Sequence, residues 1–194
     1  MLVVNAAMFG VEFIAGLLAG SVALLADSLD MLGDALVYGF SLYVVARGAM
    51  WKARAAVAKA TVMGLFGILV FGQLLYKLVV PQVPVAEAMG AVAALALVAN
   101  AFCFALLWRH RGEDINMHSV WLCSRNDLLA NVLVLIAALA VGLLNSPWPD
   151  VAVGALICAI FLRSALAIAR EARGTLRSLH CAARSAETSH LAHR

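Results

Sequence analysis

Six stretches of about 20 mostly apolar residues dominate this sequence, each long enough to cross a bilayer as a helix. Of the 194 residues, 64% are hydrophobic and 13% are charged, whereas soluble domains are about half apolar and about a quarter charged. A soluble monomer of this composition would expose too much apolar surface to water. We therefore predict an all-α, polytopic membrane protein with six transmembrane helices. The predicted spans are Leu2–Leu18, Val22–Val45, Ala55–Leu78, Val85–Trp108, Met117–Leu144 and Val151–Ala169.

The basic residues predict the orientation of these spans. They gather in the loops after the second and fourth spans and after the sixth span, whereas Lys77 stands alone on the opposite side. Because cytoplasmic loops carry an excess of lysine and arginine, we predict that both termini are cytoplasmic. Residues 1–170 then form a six-helix transmembrane domain, and residues 171–194 form a short cytoplasmic tail. The compact plan and short loops are typical of a bacterial inner (cytoplasmic) membrane protein.

A short internal similarity indicates a repeat. The segment Leu2–Phe9 is similar to Leu97–Phe104, and each segment is followed on the next predicted span by an aspartate, at Asp34 and Asp127 respectively. Three spans per unit would insert the second unit in the opposite direction, as in the inverted repeats of transporters. A chance match is the alternative.

Carboxylates inside the predicted spans are the strongest functional signal. Each one costs roughly 2.5 to 3.5 kcal/mol at a helix centre unless it is paired or solvated. Asp30 and Asp34 lie one turn apart on the second span, and Cys123 and Asp127 repeat that spacing on the fifth. A divalent cation would offset the charge of such ligands. We therefore predict a metal site formed by Asp30, Asp34, Asp127 and Cys123. The alternative is that the aspartates only make polar contacts between helices and that Cys123 only packs against its neighbours.

Three further polar residues leave two interpretations open. Asp27 shares the face of Asp30 and Asp34 but lies close to the outer end of its span, where it is expected either to join the site or to face water. Asn5 and Glu12 share one face of the first span. They are expected either to line a pathway or to bond the second span.

The first two spans resemble those of the cation diffusion facilitator family. The residues that carry the resemblance are Asn5, Phe9, Glu12, Gly16 and the segment Gly20–Asp34. In that family the second span carries a histidine or aspartate followed four residues later by an aspartate, which corresponds here to Asp30 and Asp34. The fifth span commonly carries a histidine and an aspartate, and here Cys123 stands where the histidine would be and Asp127 matches the second position.

The resemblance implies efflux of divalent transition metals in exchange for protons, by a homodimer that holds the metal with four side chains. The family's cytoplasmic metal-sensing domain has no counterpart in this sequence, so the chain is expected to be a short form. Zinc is the favoured ion because oxygen and sulfur ligands suit borderline metals, and cadmium, cobalt, iron and manganese stay open. We expect no prosthetic group, no enzymatic activity and no nucleic-acid binding.

Two other functions are compatible with the same residues. A proton-coupled exporter of organic cations would use these carboxylates and would line its path with aromatic side chains. A non-transporting membrane subunit that binds a partner helix would tolerate loss of Asp34.

Overall fold

The fold is a bundle of six α-helices that follow one another with short connections. The structure is a computed structural model that describes the backbone of residues 2–44, 49–108 and 115–192; the side chains of residues 41–44, 49, 52–53, 107–108, 115–126, 171–172, 175–176 and 179–192 are outside the description. The helices are α1 (Leu2–Ala19), α2 (Val22–Val44), α3 (Ala49–Val79), α4 (Ala86–Trp108), α5 (Ile115–Leu144) and α6 (Trp148–Ala192). The described residues contain no strand, which confirms the predicted all-α class.

Five of the helices are long and apolar enough to cross a membrane. These candidate spans are Leu2–Ala19, Arg54–Val79, Ala86–Leu106, Asp127–Leu144 and Trp148–Arg170. The remaining helix, α2, is 23 residues long but carries three aspartates, so its composition differs from that of the five candidate spans. Large apolar side chains on the outward faces of the other helices are exposed, as expected for surfaces that lipid covers. The chain is an integral membrane protein.

Helix α2 lies at the centre of the bundle. It contacts α1, α3, α5 and α6, and residues 21–29 at its beginning are all buried. Gly154 of α6 allows one of these contacts, because a Cβ atom there would lie 2.9 Å from the carbonyl carbon of Val22 and 3.0 Å from the backbone nitrogen of Ala23. Of the three acidic side chains of α2, Asp27 is fully buried, and Asp30 and Asp34 are partly buried.

The turn between α1 and α2 is as short as the sequence predicts. Gly20 has a φ of 65°, a left-handed conformation that is typical of the residue after a helix. Ser21 then caps α2, because its Oγ accepts a hydrogen bond of 3.1 Å from the backbone nitrogen of Leu24. We call this end of the bundle the outer end, following the orientation that the charge pattern predicts.

A buried ion pair joins three helices at the outer end. Asp150 of α6 accepts hydrogen bonds from the Ser21 hydroxyl at 2.6 Å and from the backbone nitrogens of Val22 and Ala23 at 3.0 Å. Lys77 of α3 pairs with the same carboxylate at 2.6 Å and also donates to the carbonyl of Gly20. Because a carboxylate at a helix N-terminus is favoured by the exposed N–H groups, this cluster fixes the beginning of α2.

Two sequence predictions about the chain's organisation are not settled by the fold. Asn5 lies in the first turn of α1, whereas Asn100 lies in the second half of α4, so the proposed inverted repeat stays a prediction. The backbone continues as one helix from Trp148 to Ala192, across the predicted boundary at residue 170. A separate cytoplasmic tail therefore also stays a prediction.

Candidate metal pathway along α2

The side chains of Asp30 on α2 and Asp127 on α5 lie close to each other and interact electrostatically. Asp127 is buried, with 9% of its surface exposed. Two ionised carboxylates that share one place repel each other. The structure therefore brings together two of the predicted site residues, at a place where a proton or another cation must offset their charge.

Asp34 lies one turn further along α2 and contacts a different helix. Its Oδ2 accepts a hydrogen bond of 3.3 Å from Nδ2 of Asn5 on α1. Asp34 also interacts electrostatically with Asp30 and Asp127. Of the two roles expected for Asn5, the structure therefore supports a bond to the second span.

Among the described residues, a lysine also acts on this acidic group. Lys59 of α3 interacts electrostatically with both Asp30 and Asp34. Its single positive charge offsets part of the negative charge that the carboxylates would carry together. In the sequence, Lys59 is one of the basic residues near the loop before the third span.

Asp27 is fully buried, so the expectation that it faces water is wrong. Its Oδ2 accepts a hydrogen bond of 3.0 Å from Nδ2 of Asn131 on α5, and its Oδ1 has no hydrogen-bond partner among the side chains that are described. Asn131 in turn accepts a hydrogen bond of 3.2 Å from Asn100 of α4. The helices packed around the outer half of α2 remove Asp27 from solvent despite its position near a helix end.

Glu12 of α1 is also fully buried, and neither of its carboxylate oxygens has a hydrogen-bond partner among the described residues. Within the described part of α2 it makes no hydrogen bond to the second span, which was one of the two roles expected for it. Asp27, Asp30 and Asp127 act on it electrostatically, and these three groups are acidic.

The predicted ligand set is only partly described. Within the described residues, no group of three or more histidine, cysteine, aspartate or glutamate side chains is arranged to hold a metal ion. Asp34 is bonded to Asn5 rather than to the pair formed by Asp30 and Asp127. The side chain of Cys123 lies outside the description. The four-residue site therefore stays a prediction.

Asp30 also borders a cavity between α3, α5 and α6. The cavity has a volume of about 300 Å³. Apart from Asp30 and Ser164 its lining is apolar, and Phe161 is its one aromatic residue among those described. Asp30 thus borders a cavity between helices and also lies close to Asp127.

Comparisons with known proteins find matches that cover most of the chain. The cation efflux transmembrane domain matches residues 1–176. A protein of Yersinia pestis called zinc transporter ZitB is 32% identical over 177 residues, which cover 82% of this chain and 55% of that protein. A protein of the same name from Pectobacterium atrosepticum is 31% identical over 185 residues, which cover 87% of this chain and 57% of that protein. The chain thus spans little more than half the length of these relatives.

Proposed function

The chain belongs to the cation efflux family, and from this membership and the acidic core we propose that it transports divalent transition-metal cations across a bacterial inner membrane. Zinc is the favoured substrate, because the relatives that cover most of this chain carry the name of zinc transporters. Cadmium, cobalt, iron and manganese are the other candidates. The fold supports the proposal by holding several carboxyl groups inside a membrane protein, where isolated charges are costly and usually functional.

The proximity of Asp30 and Asp127 is the observation that carries the mechanism. A metal ion binds to ionised carboxylates, so a proton that offsets the charge of this pair would have to leave before the ion enters. Protons arriving from the other side of the membrane would compete for the same oxygens and release the metal. Metal and protons would thus exchange at one site, with Asp34 and Cys123 as the remaining proposed ligands.

A homodimer is part of the proposal through the family resemblance alone. Large apolar side chains are exposed on the outward faces of the single bundle. Lipid or a second copy of the chain can cover such surfaces. Crosslinking in native membranes, with the size of the product as readout, tests this part independently of transport.

Export of organic cations is the second candidate function. The apolar cavity beside Asp30, with its volume of about 300 Å³, favours it, because this is the lower end of the size range of small-molecule pockets. A cationic group could pair with Asp30 while an apolar body fills the cavity. The near absence of aromatic residues from the described lining weakens this candidate relative to metal transport.

Uptake into proteoliposomes tests both candidates. The purified protein is reconstituted under a pH gradient, and zinc, cadmium, cobalt, iron(II), manganese or a fluorescent organic cation is supplied in turn. We expect saturable zinc uptake that the Asp34→Asn variant loses and that the Glu87→Gln variant, altered at an exposed position at the start of α4, retains. Uptake of the organic cation alone would favour the second candidate. No uptake by correctly folded protein would favour the partner-binding subunit.

A further inference from the structure

We propose that Glu12 and Asp27 form a second divalent-cation position, separate from the predicted site at Asp30, Asp34, Asp127 and Cys123. Glu12 lies on α1 and Asp27 on α2, two helices that pack against each other. The inference rests on the proposed function, because the ion held there is the transported one. It adds a second binding position to the path of that ion.

Three carboxylate oxygens at this place have no hydrogen-bond partner in the part of the chain that the structure describes. They are both oxygens of Glu12 and the Oδ1 atom of Asp27, and both side chains are fully buried. A buried polar atom without a hydrogen bond carries the full cost of its removal from water. Side chains with unsatisfied oxygens are therefore expected to have a ligand in part of the working cycle.

The electrostatic surroundings call for a positive charge. Glu12 interacts with Asp27, Asp30 and Asp127, and these groups all repel a second negative charge. Asn131, which donates to Asp27, supplies a hydrogen bond but no charge. A cation is the ligand that removes both the unsatisfied oxygens and the repulsion.

The two residues lie at similar depths in the outer half of the bundle. At 1.5 Å per residue, Glu12 is about 10 Å from the end of α1 and Asp27 about 8 Å from the start of α2. Asp34 is about 18 Å from the start of α2 by the same measure. The position therefore lies between the predicted metal site and the outer end.

The ligand chemistry is carboxylate oxygen. Oxygen donors suit manganese and other hard divalent ions, and they also bind zinc. Because only two protein residues would bind the ion here, water would complete its coordination shell, as it does for divalent ions that are bound by one or two carboxylates. Manganese is the most direct probe because its free form can be counted by electron paramagnetic resonance.

Manganese binding to the purified full-length chain tests the proposal. The variants are Glu12→Gln, Asp27→Asn, the double variant Asp34→Asn/Asp127→Asn, and that double variant combined with Glu12→Gln. We expect Glu12→Gln and Asp27→Asn each to bind one ion fewer per chain than the wild type. The double variant should still bind one ion, and the addition of Glu12→Gln to it should abolish binding.

The variants are chosen to keep the fold. Glutamine is the same size as glutamate, and Glu12 loses no hydrogen bond in the change. The Asp27→Asn change keeps a side-chain oxygen that can accept the hydrogen bond from Asn131. Glu87→Gln is the matched control at an exposed position, and it should bind as many ions as the wild type.

The outcomes separate this inference from the proposed function. Equal manganese binding by the wild type and Glu12→Gln, both monodisperse, would overturn the second position. Loss of all binding in the Asp34→Asn/Asp127→Asn variant would overturn it as well, because the second position should act alone. Transport that survives in Asp34→Asn, with one ion lost in Glu12→Gln, would support the second position and contradict the proposed function.

Discussion

The carboxylate of Asp150 lies 2.6 Å from the ammonium group of Lys77, and both side chains are buried at the outer end of the bundle. The pair joins the end of α3 to the start of α6. The same carboxylate binds the first backbone nitrogens of α2, which carries the acidic side chains of the proposed pathway. The position of α2 therefore depends on an ion pair that itself lies outside the pathway.

The Asp150→Asn variant should lower the stability of the protein markedly. The change keeps the size of the side chain but leaves Lys77 buried without its carboxylate, and breaking a buried pair in this way costs about 3 to 5 kcal/mol. Thermal unfolding of the detergent-solubilised protein measures the effect, with Glu87→Gln as the control at an exposed site. Equal melting temperatures for the two variants would show that the pair does not hold the outer end together.

Gly154→Ala should also destabilise the protein, because the new methyl group would meet the backbone of α2 at 2.9 Å. Overpacking of this kind costs about 1 to 3 kcal/mol. Gly72→Ala is the matched control, since a Cβ atom at that position of α3 meets nothing within 4 Å. The control should be neutral or slightly stabilising, because alanine favours helix over glycine. A melting temperature that falls equally in both variants would contradict the close approach of α6 to α2.

Cys123→Ala tests the thiol of the predicted site through metal selectivity. Soft thiolate ligands favour cadmium and zinc over manganese, so the change should weaken cadmium binding by about tenfold or more and leave manganese binding nearly unchanged. Cys158→Ala, at a buried cysteine of α6 away from the acidic residues, is the control. Equal loss of both metals, or of neither, would remove Cys123 from the ligand set. Isothermal titration of the purified protein provides the affinities.

The first turn and the acidic residues inside the bundle were predictable from local signals. Gly20 and Ser21 mark the first turn in the sequence, and the structure begins α2 at Val22 as predicted. Asp30, Asp34 and Asp127 stood out because each is a carboxylate inside a predicted span, and the family motif agreed with them. These predictions rest on helical periodicity, which is the same however the helices pack.

The contacts between distant helices were not predictable in the same way. Lys77 and Asp150 are separated by 73 residues, and in the sequence Lys77 is only an isolated lysine on the outer side. Asn131 was missed because one asparagine in an apolar helix is typical of ordinary packing between helices. The sequence left two roles open for Asp27, because distance from a helix end does not say which neighbouring helices cover it. Each of these contacts depends on how the helices pack against one another, and that packing cannot be read from any short segment of one sequence.

The release of protons on zinc binding tests the central claim most directly. Zinc is added to the purified protein in weakly buffered solution, and the pH change is recorded for the wild type and for Asp127→Asn. The wild type should release at least one proton for each zinc ion bound at this pair, because two neighbouring carboxyl groups repel each other unless a proton or a metal offsets their charge. Asp127→Asn should bind less zinc and release fewer protons. Zinc binding by the wild type without proton release, or unchanged binding and release in the variant, would contradict metal–proton exchange at this pair.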